Sequence, residues 1–354
     1  MTLELLGKSW ALWLLGSWLR TLPLLLVLQI VDRLLAGARR HELRAVGWWA
    51  LLLAALAPTP LSGAPTLYDL APGAAAAIPV EDFSAAASTL LPPFWLGVAL
   101  ASLTLQLRRH QALIRRWEQG RDAEVERSVA LKVAALCEEL GLPRLPEVVI
   151  SDAVGGPALC GWRRPRIYLP LEWVTSASPE SLEHVLLHEL FHLRHRDPWL
   201  WAFCGGLSRL LWPQPMVAWA VRRILALREI ESDQAVVGRL QGNAAAYRRT
   251  LLEMARGQYA LEAPAGPAFG AHPAGIVARL RLLQVGSPMP RGSARRSRLP
   301  LQATLLALYL GLSGFLSPVL VAAERWADID PSTLQGCLRL RYYVLGKMAD
   351  AEGH

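Results

Sequence analysis

Four long apolar runs divide this chain, and the stretch between the third and the fourth has a different rhythm. The runs extend from Ser9 to Val31, Ala45 to Leu61, Leu90 to Leu107 and Leu299 to Ala323. A bilayer span needs about 20 mostly apolar residues, so each run is read as a transmembrane helix. The first contains Arg20 and Pro23, the second is short and closes on Pro58-Thr59-Pro60, and the third opens at Pro92-Pro93. The fourth carries no charge. Arg20 within a span is read as snorkelling or paired.

From 108 to 298 the pattern turns to short periods. Glu124 to Leu140 repeats with helical spacing and stops at Gly141 and Pro143. Val148-Val149-Ile150 and Arg166-Ile167-Tyr168-Leu169 read as short buried strands, with a turn at Gly155-Gly156-Pro157 between them. A helix is predicted from Pro179 to Arg196. Ser178 suits its N-cap, Pro179 its first position, and Glu180 and Glu183 its first turns; Pro198 ends it. Further helices are predicted at 214–240 and 243–257. This stretch of about 190 residues can enclose one core.

Charge then orients the runs. Residues 32–44 hold Arg33, Arg39, Arg40 and Arg44, whereas 58–91 hold only Asp69, Glu81 and Asp82 as charged residues. Arg108, Arg109, Arg115, Arg116 and Arg121 follow the third run, and Arg291, Arg295, Arg296 and Arg298 precede the fourth. Because cytoplasmic loops carry the excess of arginine and lysine, 32–44 and 108–298 are expected inside. The 58–91 loop and both termini are expected outside, in a multi-pass membrane protein. The expected organisation is three spans within 1–107, a cytoplasmic domain at 108–298, a fourth span at 299–323 and a short outer tail at 324–354.

Composition agrees with this picture. Hydrophobic residues make up 53% and charged residues 19%, against about 25% charged in ordinary soluble domains. The net charge of +8 is accounted for by the loops beside the spans, and no groove-reading motif points to nucleic acid. Cys137, Cys160, Cys204 and Cys337 form no C-x-x-C pair and are read as small buried hydrophobes. No cleavable signal is expected, since no small-residue cleavage site follows the first run. Trp199, Trp201, Trp212 and Trp219 read either as an interfacial segment or as buried core indoles.

One motif carries chemistry. His188-Glu189-Leu190-Phe191-His192 is H-E-x-x-H. Residues four apart share one face of a helix, so both imidazoles can converge on one Zn²⁺ with Glu189 beside them as base. Leu186, Leu187, Leu190 and Phe191 predict a buried helix, and buried polar groups need partners. A catalytic zinc takes a third protein ligand and keeps an open position. The candidates are Glu229, His195 and Glu231. Glu229, on the next long helix, is preferred because one straight helix seldom wraps three ligands around a metal. Asp233, one turn on, is expected to orient a ligand histidine. Tyr247 and His272 are candidate donors to a developing oxyanion. Arg166, Ile167 and Tyr168 form a candidate strand for pairing with an extended substrate.

The chain resembles the membrane metallopeptidases of the BlaR/MecR antirepressor type. The resemblance covers about residues 90 to 323. It is sharpest in Gly161-Trp162-Arg163-Arg164-Pro165-Arg166-Ile167-Tyr168-Leu169-Pro170, in His188 to Asp197, and in Glu229 to Asp233. That family usually has Cys where this chain has Ser232. The resemblance implies a cytoplasmic zinc peptidase domain with one Zn²⁺ held by His188, His192 and Glu229. It further implies Glu189 as base and a structural role for Asp197 near the site. Its fold would be mainly α, with a zincin-like α+β domain whose small sheet lies beside the motif helix. Well-known members end in a penicillin-binding domain; no Ser-x-x-Lys follows the last apolar run here, so direct acylation by a β-lactam is not expected. His272-Pro273 with Arg279-Leu280 is faintly similar to the HtpX-like and CAAX-prenyl membrane peptidases.

The resulting expectation is a regulated signalling peptidase that cuts a BlaI/MecI-like repressor, itself, or both. The basic 286–298 stretch is the candidate self-processing site. The alternatives are a quality-control protease and a non-enzymatic transmembrane sensor with a structural zinc site.

Overall fold

A computed structural model of the chain describes residues 3–37, 41–56, 85–241, 243–260 and 279–280. The expected 58–84 part of the outer loop, the fourth span at 299–323, the outer tail, the 286–298 stretch and His272 lie outside the described residues. The described part is mostly helical with one small sheet. It divides into two units. The first takes residues up to Ala101 together with Leu207–Ile224, and the second takes Ser102–Gly206 and the described residues from Leu225 onward.

In the first unit, α1 (Leu3–Gly37) and α2 (His41–Leu56) form an antiparallel pair. Leu24, Leu25 and Leu28 of α1 and Trp48, Leu51, Leu52 and Ala55 of α2 are buried. Trp18, Leu22, Leu26, Ile30 and Leu34 leave an apolar face of α1 exposed. At one end of the pair, Ser17 Oγ donates to the Ala55 carbonyl at 2.8 Å. At the other, Arg44 Nε donates to Asp32 Oδ1 at 2.7 Å, and Trp48 Nε1 donates to the same oxygen at 3.2 Å. Arg223 ion-pairs with the second Asp32 oxygen. Among the described residues of this pair, the buried side chains of Ser17, Thr21, Asp32 and Arg44 each find a partner, as burial requires.

Helix α3 (Ala85–Trp117) starts before the Pro92-Pro93 pair and runs on through the arginine cluster. The prolines stand inside the helix rather than opening it. Neighbouring groups can re-satisfy the carbonyls that an apolar helix frees at proline. Among the described residues, the helix at Thr89–Trp117 is the one long and apolar enough to cross a membrane, and Leu43–Leu56 is a shorter apolar helix. Leu90, Phe94, Leu96, Leu100 and Leu105 of α3 are exposed.

The second unit is built on α4 (Ala123–Leu140) and a three-stranded sheet. Asp122 caps α4 by accepting from the Glu124 and Val125 amides, and Gly141 closes it in the left-handed region at φ 63°. The strands are β1 (Glu147–Ser151), β2 (Ala158–Cys160) and β3 (Arg166–Pro170), in the order β1-β3-β2. Strand β3 runs parallel to β1, with Val148 opposite Ile167, and antiparallel to β2, with Ala158 opposite Tyr168. Side chains alternate across the sheet as the period of two demands. Ile150, Ile167 and Leu169 face the main core, while Val149 and Tyr168 pack with Trp117 on the other side.

This order corrects the proposed substrate strand. Arg166, Ile167 and Tyr168 lie on the central strand, whose two edges are already hydrogen-bonded to β1 and β2, so no added strand can pair there. The sequence showed β1 and β3, but β2 has only three residues and no β-branched side chain, too little to read as a strand.

After the short α5 (Leu171–Ser176), helix α6 (Pro179–Arg194) carries the motif. The Ser178 hydroxyl accepts from the Ser181 amide at 3.0 Å, and Pro179 occupies the first turn. The helix ends two residues earlier than its pattern predicts. His195 caps it, and Arg196 turns the chain with φ 60°. Pro198 does not stop α6; it sits in the first turn of α7 (Asp197–Leu210), the position where proline's missing N–H costs nothing. Helices α8 (Pro215–Arg239) and α9 (Ala244–Ala260) follow close to their expected limits. The core joins Val129 and Val133 of α4, Val185, Leu186 and Leu190 of α6, Val236 and Val237 of α8, and Tyr247 and Leu251 of α9. Of the four tryptophans, Trp199, Trp212 and Trp219 are exposed, whereas Trp201 packs against the core.

The turn from β2 to β3 depends on Gly161, at φ 84°, where an added Cβ would stand 2.3 Å from the Arg164 carbonyl oxygen. Gly161→Ala is expected to cost about 2 kcal/mol or more from the backbone conformation and the clash. A lowered melting temperature of the purified protein in detergent checks this; an unchanged one refutes it.

Candidate metal centre

Helix α6 is buried almost all round from Ser181 to His192. Its apolar side chains draw it into the core, and that drags His188, Glu189 and His192 out of water with them. One turn of helix separates the two imidazoles, and their Nε2 atoms face each other at 3.1 Å. Glu229 reaches in from α8. Its Oε2 lies 3.5 Å from His188 Nε2 and its Oε1 3.5 Å from His192 Nε2. These three residues are the group among the described residues that can hold a metal ion.

The spacing fits such an ion. Ligand bonds of about 2.0–2.1 Å in a tetrahedron put neighbouring donor atoms roughly 3.3–3.4 Å apart; here the Nε2 pair stands 3.1 Å apart, each nitrogen faces a different Glu229 oxygen at 3.5 Å, and one donor atom from each residue lies within 4.8 Å of the others. Two imidazole nitrogens and one carboxylate oxygen also form a donor set that suits zinc, with a fourth position left open.

Both imidazoles are oriented from behind. His192 Nδ1 lies 2.7 Å from Asp197 Oδ2 and 3.2 Å from the Ser232 hydroxyl. Asp197 in turn accepts from Arg228 Nε at 2.9 Å. His188 Nδ1 lies 3.2 Å from Asp233 Oδ1 and 3.0 Å from the Tyr247 hydroxyl. A carboxylate at Nδ1 holds the proton there and turns the Nε2 lone pair toward the centre. Asp233 and Asp197 thus each contact the outer nitrogen of one imidazole.

The electrostatics favour a cation between these groups. Burial acts to lower His192, but the Asp197 and Glu229 carboxylates outweigh it and push the imidazole up to about 10. Burial would raise Glu229, yet its bonds from both histidines and the charge of Arg279 hold it well below the usual range. Asp233 is likewise buried, and the Arg279 charge and the His188 bond bring it to about 2. Glu189 behaves oppositely: burial dominates and raises it. A carboxylate made more basic by burial beside the triad is placed to accept a proton.

The other candidates fall elsewhere. His195 is exposed at the end of α6 and stacks on Phe191, and Glu231 ion-pairs with Arg228; neither joins the triad. Tyr247 is fully buried, and its hydroxyl donates to Asp233 Oδ1 at 2.7 Å. That corrects its expected role as an oxyanion donor. It touches His188 at Nδ1, the side turned away from the centre, and its proton is already committed. The sequence reading missed Arg279, which reaches Asp233 across 46 positions of sequence. It also missed Arg228. The sole hint of Arg279 was its spacing from His272-Pro273.

Over residues 7–283 the sequence matches the model of a family described as BlaR1 peptidase M56. No curated protein matches the chain.

Replacing Asp197 with asparagine keeps the shape of the pair but removes the charge that orients His192. Metal retention is expected to weaken about 10–100-fold, read by competition with a chelator on purified protein. Retention equal to wild type would remove Asp197 from the site.

Proposed function

Since the chain belongs to the BlaR1 peptidase M56 family, we propose that it is a membrane-bound zinc endopeptidase, with His188, His192 and Glu229 as ligands and Glu189 as general base. The convergence of two imidazoles and one carboxylate within 3.1–3.5 Å of each other carries this reading. A zinc ion there supplies Lewis-acid polarisation of the substrate carbonyl and lowers the pKa of water from 15.7 toward about 7.

The chain's own residues do the rest. Asp197 and Asp233 fix the two imidazoles, so the ligand atoms need no reorganisation. Glu189 is one residue beyond His188 on the buried wall of α6 and takes the proton of the attacking water. It then returns that proton to the leaving amine nitrogen, and the peptide C–N bond breaks to carboxylate and amine. The apolar burial of α6 keeps bulk water from competing for these charges.

In the membrane, the reading places spans at 9–31, 45–61, 90–107 and 299–323 around a cytoplasmic peptidase domain at 108–298. The helical character of α1, α2 and α3 and the arginine-rich segments at 32–44 and 108–121 support it. The physiological role proposed is signalling, by cleavage of a cytoplasmic repressor of the BlaI/MecI kind, of the chain itself, or of both. The family match supports this role.

Glu189→Gln is expected to retain its metal and lose proteolysis by at least about 10²-fold, since general-base catalysis contributes that much or more. Metal content by mass spectrometry and substrate trapping in membranes measure the two effects separately. Cleavage near the wild-type rate in the metal-loaded variant would remove Glu189 from the mechanism.

A further inference from the structure

We propose that Arg279 is the hydrogen-bond donor that meets the carbonyl oxygen of the scissile peptide as that oxygen gains charge. The proposal rests on the peptidase reading above and supplies a group that reading lacks. Tyr247 cannot serve, because its hydroxyl is spent on Asp233 behind His188.

Arg279 is buried, with 8% of its surface exposed. Its Nε and Nη2 donate to Asp233 Oδ2 and Oδ1, both at 2.7 Å. This two-pronged bond fixes the plane of the guanidinium. The remaining edge turns to the triad: Nη1 lies 3.3 Å from Glu229 Oε2, and Nη2 lies 3.4 Å from His188 Nε2. Both contacts are to atoms that face the centre, not to the outer Nδ1 side. An oxygen brought to the open side of the triad therefore meets guanidinium N–H groups that are already oriented. Arg228, by contrast, serves Asp197 and Glu231 behind His192.

The charge balance argues that this placement has a use. A buried arginine beside the ligands of a dication repels that dication. Pairing with Asp233 does not by itself require the other edge of the guanidinium to face the triad, as it does. The repulsion is offset once negative charge develops on the substrate oxygen. As water adds to the carbonyl carbon, the C=O π pair moves onto oxygen, where an Arg279 N–H bonds it. Glu189 takes the water proton and delivers it to nitrogen as the C–N bond breaks. Arg279 keeps all its protons throughout, since guanidinium does not ionise in proteins.

The test uses the full chain, purified in detergent and loaded with zinc, with fluorescein-labelled casein as substrate and phosphoramidon, a phosphoramidate, as an oxyanion mimic. Arg279→Gln is expected to lower kcat about 10²–10³-fold, the usual loss for one oxyanion donor, with KM and bound zinc near wild type. Its affinity for phosphoramidon should fall in parallel. Arg279→Lys, which keeps the charge against Asp233, should fold and bind zinc but still turn over well below wild type. An Arg279→Gln protein with wild-type kcat or undiminished phosphoramidon affinity overturns the proposal. So does loss of zinc in Arg279→Gln together with full activity in Arg279→Lys, because the arginine would then merely hold Asp233. A wild-type protein as inert toward casein as Glu189→Gln would instead overturn the peptidase reading itself.

Discussion

Two imidazoles are held out of water on one turn of α6, each tied at Nδ1 to a buried carboxylate. Everything else in the second unit is arranged around that requirement. The helix must be buried for the site to be dry, and Leu182, Val185, Leu186, Leu187, Leu190 and Phe191 supply the apolar surface that buries it. A buried imidazole must have a partner for each nitrogen. Asp197 and Asp233 take the outer nitrogens, which leaves the inner pair facing Glu229. The carboxylates, once buried, need cations of their own, and Arg228 and Arg279 answer them. Removing one member of such a set leaves an uncompensated charge in a low-dielectric interior, typically at a cost of about 3–5 kcal/mol.

The scaffold explains why these groups arrive together. The core joins α6 to α4, the sheet, α8 and α9. Helix α8 contributes Arg228, Glu229, Ser232 and Asp233 within little more than one turn, so one rigid element supplies a ligand and contacts to both histidines. Strand β2 pairs with β3 and packs beside α6. Its Cys160 thiol is pushed up to about 12 by burial and by the Glu189 charge, which makes it an inert neighbour rather than a second nucleophile.

The apolar surfaces fit the family's association with membranes. In α1 and α3 large aliphatic side chains point outward, the reverse of a helix that must dissolve in water. Within the α1–α2 pair Asp32 is bound by Arg44 and Trp48, and Arg223 of α8 pairs with it as well.

How much of this the chain announces in advance follows from the range of each interaction. The H-E-x-x-H spacing fixes both imidazoles on one helical face, because the 3.6-residue period is a property of neighbouring peptides. The helix caps at Asp122, Gly141 and Ser178 are equally local, as are the long apolar runs and their flanking arginines. The same periodicity says that Glu229 and Glu231, two residues apart, cannot both face the histidines, but it does not say which one does. Tertiary packing decided what lies between distant residues. It put β3 in the centre of the sheet and so closed its edges, turned Tyr247 to the outer side of His188, and brought Arg279 across 46 positions to Asp233. No local pattern encodes such pairings. They depend on which buried charge lacks a partner once the core has closed, and that is defined only in three dimensions.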